Sequence, residues 1–392
     1  IKSYIAGLLL ATLLPAVAFA VDIDISDATT PDEAAVNQTI AVFISSDATV
    51  SVDYTIIDGT ATNGDDYTAS SGTLNFSPGN TVQSINIPIL SDDIDEDIET
   101  IIINLSNPTG GAVIVDNQAT LYIVDDDPEP QISINDDNTT ETNGTYSLAA
   151  TLNNPSSKDV SVGWRAIAGT ASDGSDFNSS QGTLNFPAGN TSQNISISLL
   201  DDSMDEDNET VIVTLYDPVF ATLDNSTAVI TLQDDDAEPS ISAADITTTD
   251  ESVANITISL SAPSSRTVAV LATTSGITAT EGTDYTATST NVQIPPGNTF
   301  TTLSIPLNDD TLDELNETFE VGFSNPSNAS IFDNNTVVTI ADNDLAPSVS
   351  ISGQTIVDDN GTLAPQVTLS AASGLTVEVD YATSNGTATA GN

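Results

Sequence analysis

An acidic segment between two apolar runs occurs three times in this chain, and this repetition constrains the fold more than any other feature. The segments run from 91 to 100, from 200 to 210 and from 309 to 318. Their shared Glu-Thr endings begin at Glu99, Glu209 and Glu317, about 109 residues apart, which is the size of a small domain and not of a solenoid repeat. The chain is therefore predicted to be an array of one module.

The charge balance excludes several classes of partner. The chain has 392 residues, with 57 Asp and Glu against 4 Lys and Arg and no His, which gives a formal net charge of −53. Because nucleic acids and anionic membranes are bound mainly through Lys and Arg, neither is expected as a partner. Such an excess of one sign opposes compaction unless bound cations offset it.

The composition otherwise favours a folded chain without covalent cross-links. Hydrophobic residues make up 39% of the sequence, which is typical of folded domains. The chain contains no Cys, so disulfides and thiolate metal sites are excluded.

Residues 1–20 have the features of a secretory signal peptide. Lys2 precedes an apolar run, and Ala18-Phe19-Ala20 forms a small-x-small cleavage site. The alternative is an uncleaved N-terminal anchor, although the run is short for a transmembrane helix, and no other transmembrane segment is expected. We expect export to a secreted or cell-surface location. Because the sequence lacks an initiating Met and stops inside a repeat, we also expect it to be part of a longer protein.

Runs of alternating apolar and polar residues predict β-strands with one buried face. Gly-rich turns separate these runs, and an aromatic residue after the Asp of one recurrent turn is expected to close the core, at Tyr67, Phe177 and Tyr285. Trp164, in the third strand of the second repeat, is also expected in the core. About seven strands per module without any helical period predict an all-β fold of tandem antiparallel β-sandwiches, placed end to end.

The predicted boundaries follow from the repeat. We expect a signal peptide at 1–20, module one at 21–128, module two at 129–237, module three at 238–345 and a truncated module four at 346–392.

Four acidic segments of each module are expected to meet at one end of its sandwich: an opening Glu, a Gly-x-Asp turn, the acidic loop and the Asp run after the last strand. Oxygen ligands in turns suit Ca²⁺, which takes about six to eight oxygens, better than Mg²⁺. The absence of His and Cys argues against zinc and copper. The alternatives are solvated turn residues or an adaptation to high salt, but repulsion among clustered carboxylates favours a metal.

These motifs resemble the Calx-β domains of sodium/calcium exchangers, integrin β4 and bacterial surface proteins. The matching patterns are Gly-Thr-Ala-x-x-Gly-x-Asp-Tyr/Phe, Asp-Asp-x-x-x-Glu-x-x-Glu-Thr and Asp-Asp-Asp. The resemblance covers almost everything from Val21 onward. It implies immunoglobulin-like sandwiches that bind Ca²⁺ as their cofactor at the distal loops.

The resemblance also implies a ligand set at the matching positions, with carbonyl oxygens from one residue of each acidic loop. In module one these residues are Glu33, Asp66, Asp92, Ile94, Glu96, Glu99, Asp125, Asp126 and Asp127. In module two they are Glu141, Asp176, Asp201, Asp202, Met204, Glu206, Glu209, Asp234, Asp235 and Asp236. In module three they are Glu251, Asp284, Asp309, Asp310, Leu312, Glu314, Glu317, Asp342 and Asp344. Ser91, in place of the first loop Asp, and Asn343, inside the terminal run, predict fewer or more weakly held ions.

The leading functional prediction is an exported, Ca²⁺-stiffened array that acts as the rod or adhesive region of a surface or matrix protein. Its expected partners are calcium ions, the neighbouring modules of the same chain and a cell-surface or matrix protein or glycan. The alternative is a set of spacer modules in a secreted enzyme whose catalytic domain lies beyond residue 392. A Ca²⁺ sensor fits the ligands but not the export signal. No catalysis is expected within this chain, because without His or Cys neither a Ser-His-Asp nor a Cys-His device can form.

Overall fold

The computed structural model describes residues 20–30, 32–34, 36–248, 253–355 and 362–387. Regular structure in these ranges consists of strands, and none of their residues forms a helix long and apolar enough to span a bilayer. The apolar run of the expected leader and the expected ligand Glu251 lie outside the described residues.

Module one has two sheets that share one apolar core. Its strands are β1 (Asp22–Ile25), β2 (Ala28–Thr29), β3 (Asn37–Ile44), β4 (Val50–Asp58), β5 (Ser71–Phe76), β6 (Val82–Pro88), β7 (Glu99–Ser106), β8 (Val113–Ile114) and β9 (Gln118–Ile123). The sheet orders are β6-β3-β1-β8 and β2-β9-β7-β4-β5.

Module two repeats this architecture around its own core. Its strands are β10 (Gln131–Ile134), β11 (Asp137–Thr140), β12 (Gly144–Leu152), β13 (Val160–Ala168), β14 (Phe177–Asn178), β15 (Ser180–Phe186), β16 (Ser192–Leu199), β17 (Glu209–Val219), β18 (Thr222–Leu223) and β19 (Thr227–Gln233). The sheet orders are β14-β16-β12-β10-β18 and β11-β19-β17-β13-β15.

Module three has a third core, and two strands follow it. Its strands are β20 (Ser240–Ala243), β21 (Ile246–Thr248), β22 (Val253–Leu260), β23 (Val268–Gly276), β24 (Ser289–Ile294), β25 (Phe300–Pro306), β26 (Glu317–Ser327), β27 (Ser330–Ile331) and β28 (Asn335–Ile340). The sheet orders are β25-β22-β20-β27 and β21-β28-β26-β23-β24. In module four, β29 (Val349–Ile351) pairs with β30 (Val367–Leu369).

The cores form as the period-two alternation predicts, because every second side chain of a strand faces the opposite sheet. In β3, for example, Ile40, Val42 and Ile44 are buried while their neighbours are not. The aromatic residues that follow the turn Asp, Tyr67, Phe177 and Tyr285, are fully buried. Apolar burial of this kind is the main stabilising contribution in each module.

Two details differ from the sequence prediction. The long strands pair antiparallel as predicted, but short strands add parallel pairs, such as β1 with β8 and β2 with β9. Trp164 is half-buried at the border of its core and not inside it. Its indole lies over Gly182, where a Cβ would come within 3.1 Å of the indole nitrogen.

Candidate metal centre

Strand register brings the four acidic segments of module one to the same end. Asn37 at the start of β3 lies opposite Pro88 at the end of β6, so the opening Glu segment and the acidic loop are neighbours. Glu99 at the start of β7 lies opposite Ile123 at the end of β9, which places the acidic loop beside the terminal Asp run. Modules two and three have both corresponding registers.

A close backbone contact adds the Gly-x-Asp turn to this end. The N–H groups of Gly59 and Ala61 both donate to the Thr100 carbonyl at 3.1 Å. A Cβ on Gly59 would lie 2.4 Å from that oxygen, so only glycine allows the approach. Gly169 makes the same contact with Thr210 in module two. The contact holds the turn Asp next to the Glu that precedes Thr100 or Thr210.

Within the turn and loop, local hydrogen bonds orient the carboxylates. Asp66 accepts a hydrogen bond from the Thr62 N–H at 2.6 Å. Asp92 accepts one from the Ile94 N–H at 2.8 Å. The equivalent loop bonds run from Met204 to Asp202 at 2.7 Å and from Leu312 to Asp310 at 2.8 Å. The acidic loop is therefore one structure repeated in all three modules.

Six carboxylates of module one form two groups with oxygens within 4.8 Å of one another. One group contains Glu33, Asp92 and Asp127, and the other contains Asp66, Glu96 and Glu99. Burial and mutual repulsion raise the pKa of Glu33 and of Glu96 to about 7. Burial, the contact with Asp66 and repulsion raise the pKa of Glu99 to about 8. The negative charge at this end is thus costly without a cation.

The acidic end of module two has a similar cluster of carboxylates. Glu141, Asp176 and Glu206 have oxygens within 4.8 Å of one another, and Asp176 is 5% exposed. Burial and repulsion raise the pKa of Glu141 to about 7, and burial with the Asp176 contact raises that of Glu209 to about 8. Burial raises the pKa of Asp236, and repulsion from four other carboxylates raises it further: Asp234, Asp235, Asp201 and Asp202.

In module three the acidic residues line a small cavity of about 30 Å³. Its lining consists of Asp284, Asn308, Asp310, Leu312, Glu314, Leu315, Glu317, Ile340, Asp342 and Asp344. Burial and the Asp284 contact raise the pKa of Glu317 to about 7. Asp309 is exposed beside the cavity, where its charge contributes to the raised pKa of Asp344.

In the terminal Asp runs, the middle residue is exposed to solvent and the two outer residues are partly buried. Asp125 and Asp127 are half-buried, whereas Asp126 is exposed, and Asp235 and Asn343 are exposed at the corresponding positions. The weakening expected from Asn343 stays a prediction, because exposure does not exclude a ligand: Asp92 is exposed and still belongs to a carboxylate group of module one. Ser91, the other departure, is likewise exposed.

Two asparagines that the sequence analysis did not select organise the terminal runs. The Asn208 side-chain oxygen accepts a hydrogen bond from the Asp234 N–H at 3.3 Å, and Asn316 does the same for Asp342 at 3.2 Å. Both precede the Glu of the Glu-Thr ending. Their recurrence at this position was the sequence signal that could have identified them. Both asparagines also begin an Asn-Glu-Thr glycosylation sequon, which obscures their structural role.

The donor set fits a hard cation. Four buried carboxylate oxygens lack a hydrogen-bond partner among the described residues: Glu99 Oε2, Asp127 Oδ2, Glu209 Oε2 and Asp234 Oδ1. Buried polar atoms are ordinarily satisfied, and an unpaired buried carboxylate is expensive. All four belong to the expected ligand set, and oxygen is the ligand atom that Ca²⁺ prefers. The residues present therefore suit Ca²⁺.

Comparisons with known proteins agree with this geometry. The Calx-beta domain model matches residues 26–127, 125–236, 242–344 and 342–392. Sodium/calcium exchanger 1 of Rattus norvegicus is 28% identical over 203 residues, which is 46% of this chain and 21% of that protein. Sodium/calcium exchanger 2 of Homo sapiens is 30% identical over 190 residues, 44% of this chain and 21% of that protein. The chain thus spans about a fifth of the length of these relatives.

Solved structures are similar as well. The apo-form Calx CBD1 domain is 30% identical, with a TM-score of 0.26, over 28% of this chain and 100% of that one. The calcium binding domain CBD12 of CALX1.1 is 21% identical, with a TM-score of 0.28, over 54% of this chain and 99% of that one.

Proposed function

The chain belongs to the Calx-beta domain family, and from this premise we propose that it is an exported Ca²⁺-binding array that acts as a Ca²⁺-stiffened rod or adhesive region of a surface or matrix protein. The observation that carries the proposal is the set of buried, unpaired carboxylate oxygens at the acidic ends of modules one and two. Export rests on the leader-like residues 1–20.

The residues of each acidic end would act together in holding the ion. The opening Glu, the turn Asp and the two loop Glu residues supply carboxylates, and the loop carbonyl adds a neutral oxygen. Bound Ca²⁺ would supply the positive charge that offsets their repulsion. Extracellular modules bind Ca²⁺ with dissociation constants of about 10⁻⁴ to 10⁻³ M, so such sites would be filled outside a cell. The acidic ends would then be rigid parts of the array.

Thermal unfolding tests the proposal directly. The chain is heated in chelator, in millimolar Ca²⁺ and in Mg²⁺ at matched ionic strength. Each filled site stabilises the native state by about 1.4 kcal/mol when Ca²⁺ is in tenfold excess over its dissociation constant. We expect a large rise in the unfolding midpoint with Ca²⁺ and a small one with Mg²⁺. Equal effects of the two ions would indicate charge screening and would refute the metal sites.

A further inference from the structure

One aspartate of each acidic loop is not directed to the metal centre but contacts the following module. Asp95 lies between Ile94 and Glu96 and is only 3% exposed. Its carboxylate accepts a hydrogen bond from the Ser156 hydroxyl of module two at 2.6 Å. Its backbone accepts one from the Ser157 N–H at 2.9 Å and donates one to the Pro155 carbonyl at 3.2 Å.

The next junction repeats these contacts with different residues. Asp205, also 3% exposed, accepts a hydrogen bond from the Ser264 hydroxyl of module three at 2.7 Å. The Ser265 N–H donates to the Asp205 carbonyl at 3.0 Å. We call Asp95, Asp205 and Asp313 the latch aspartates, and residues 155–158, 263–266 and 372–375 the docking loops.

The scarce positive charges of the chain are concentrated at these contacts. Of 4 Lys and Arg in the whole sequence, two occupy the same position of a docking loop. Lys158 lies 3.1 Å from Asp95 and 3.5 Å from Asp97. Arg266 forms an ion pair with Asp205 and lies 3.5 Å from Asp207. A buried carboxylate needs such a partner, because an unpaired charge strongly destabilises its surroundings.

The third junction keeps the hydroxyl but lacks the cation. The Ser373 hydroxyl donates to Asp313 at 3.3 Å, and the Gly374 N–H donates to its carbonyl at 3.2 Å. The docking loop has the same turn, since the Leu375 N–H bonds to Ser373 as the Lys158 N–H bonds to Ser156. Leu375 therefore stands where Lys158 and Arg266 stand.

We propose that each latch aspartate is a docking residue for the next module of the same chain, and that the serine and cation of the docking loop recognise it and fix the angle between the modules. The latch lies between two expected Ca²⁺ ligands, so one loop serves both the metal centre and the junction. The role of the latch in stiffening the array rests on the proposed function. Its contacts do not include a metal ion, because they are made by protein groups alone.

Distance measurements between spin labels test the latch in the complete chain. Because the chain has no Cys, the exposed residues Ser84 and Ser196 can be changed to Cys and labelled to report the first junction. A second pair, Ser196→Cys with Thr302→Cys, reports the second junction. The test variant combines Ser156→Ala and Lys158→Met on the docking loop; because the Lys158 charge also acts on Asp125 of module one, the latch is judged from the measurement in chelator.

The matched controls are Ser157→Ala and Lys158→Arg. The Ser157 side chain is exposed while its N–H still donates to Asp95, and arginine is the cation of the second junction. We expect the test variant to widen the distance distribution at the first junction about twofold in chelator, since modules joined by small contacts move freely. The second junction and both controls should keep the wild-type width.

Repeating the measurement in millimolar Ca²⁺ separates the two proposals. If the test variant and the wild type give the same width in chelator, the latch is refuted, whatever Ca²⁺ does. If the variant widens the distribution while Ca²⁺ narrows neither protein, the latch stands and the Ca²⁺-stiffened rod fails. A normal unfolding midpoint for the variant would show that module two remains folded.

Discussion

Modules two and three have nearly the same acidic motifs, but module two encloses its acidic end more tightly. Asp176 is 5% exposed, whereas Asp284 in module three is half-buried. Unpaired buried oxygens occur at Glu209 and Asp234, while no such carboxylate occurs among the described residues of module three. The same residue types therefore produce two different sites.

The difference coincides with what lies over each end. Arg266 of module three pairs with the acidic loop of module two, whereas the equivalent Leu375 of module four has no charge to pair with that of module three. Asp205 is buried, but its equivalent Asp313 is half-buried. Because latch and ligands are consecutive residues, docking of the next module adds to the burial of the ligands. We infer that the burial of an acidic end depends in part on the module docked at its junction.

The largest expected effect is a difference between these two modules in their response to Ca²⁺. Trp164 is the single Trp of the chain, so its fluorescence reports the unfolding of module two alone. We expect Ca²⁺ to raise that midpoint more than it raises the transition of module three, because module two has more buried carboxylate to neutralise. Calorimetry of the same samples shows the remaining transitions. Equal shifts would contradict the comparison.

Glu209→Gln should change the stability of module two in opposite directions with and without Ca²⁺. In chelator near neutral pH the variant should be more stable, because glutamine is neutral, whereas Glu209, with its pKa raised to about 8, must take up a proton or hold a buried charge on folding. In Ca²⁺ it should be less stable, because losing a charged ligand weakens affinity about tenfold or more, or about 1.4 kcal/mol. Trp164 fluorescence during heating measures both effects.

Glu317→Gln and the exposed Glu238→Gln complete this test. In calorimetry, Glu317→Gln should stabilise module three in chelator and destabilise it in Ca²⁺. Both changes should be smaller than those of Glu209→Gln, since the acidic end of module three is less buried. Glu238 lies outside the acidic ends, and its substitution should have little effect in either condition. A destabilisation by Glu209→Gln in chelator would show that Glu209 is stabilising on its own and would contradict the assignment.

Stability in chelator should also depend on pH with a predictable sign. The pKa of Glu209 is raised to about 8 and that of Glu317 to about 7, above the ordinary value of 4.5. For such groups the folded state binds protons more tightly than the unfolded state. Their stabilising effect is therefore fully present below pH 4.5 and is lost as the pH rises through about 7 to 8.

The two modules should lose this stability at different pH values. In chelator the fall should extend to higher pH for module two, seen by Trp164, than for module three, seen by calorimetry. In Ca²⁺ the stability of both modules should instead rise with pH, because protons compete with the ion and the ion is held best at high pH. A chelator profile flat between pH 5 and 9 would contradict the raised pKa values.

Much of the fold and of the acidic ends is predictable from sequence because strong periodic signals carry it. The alternation in strands such as β3 identifies the core. Short strands such as β8 have two residues and therefore no detectable period. Their parallel pairing depends on the chain already being folded.

The junction contact could be predicted only in part. Aspartate recurs at the Asp95 position in all three acidic loops, whereas Leu315 occupies the Asp97 position in the third. This repetition distinguishes Asp95 but does not identify what it contacts. Asp95 is 3% exposed and docked, whereas Asp97 is exposed. The distinguishing contacts come from Ser156 and Lys158, about 60 residues later in the chain. Such long-range contacts become visible only when two modules are placed together.

The smallest expected effect is a gain of function at the third junction. Leu375→Lys would supply the missing cation opposite Asp313, which keeps its serine contact. Because the position is 39% exposed, the new ion pair should stabilise the junction by less than about 1 kcal/mol. We expect labels at Thr302→Cys and Ser384→Cys to show a narrower distance distribution in low salt and a smaller change in high salt, where the pair is screened.

Leu363→Lys, also exposed and in module four, adds the same charge away from the latch and should leave the width unchanged. If both lysines narrow the distribution equally, net charge and not docking sets the angle, and the contrast between the second and third junctions would need another cause.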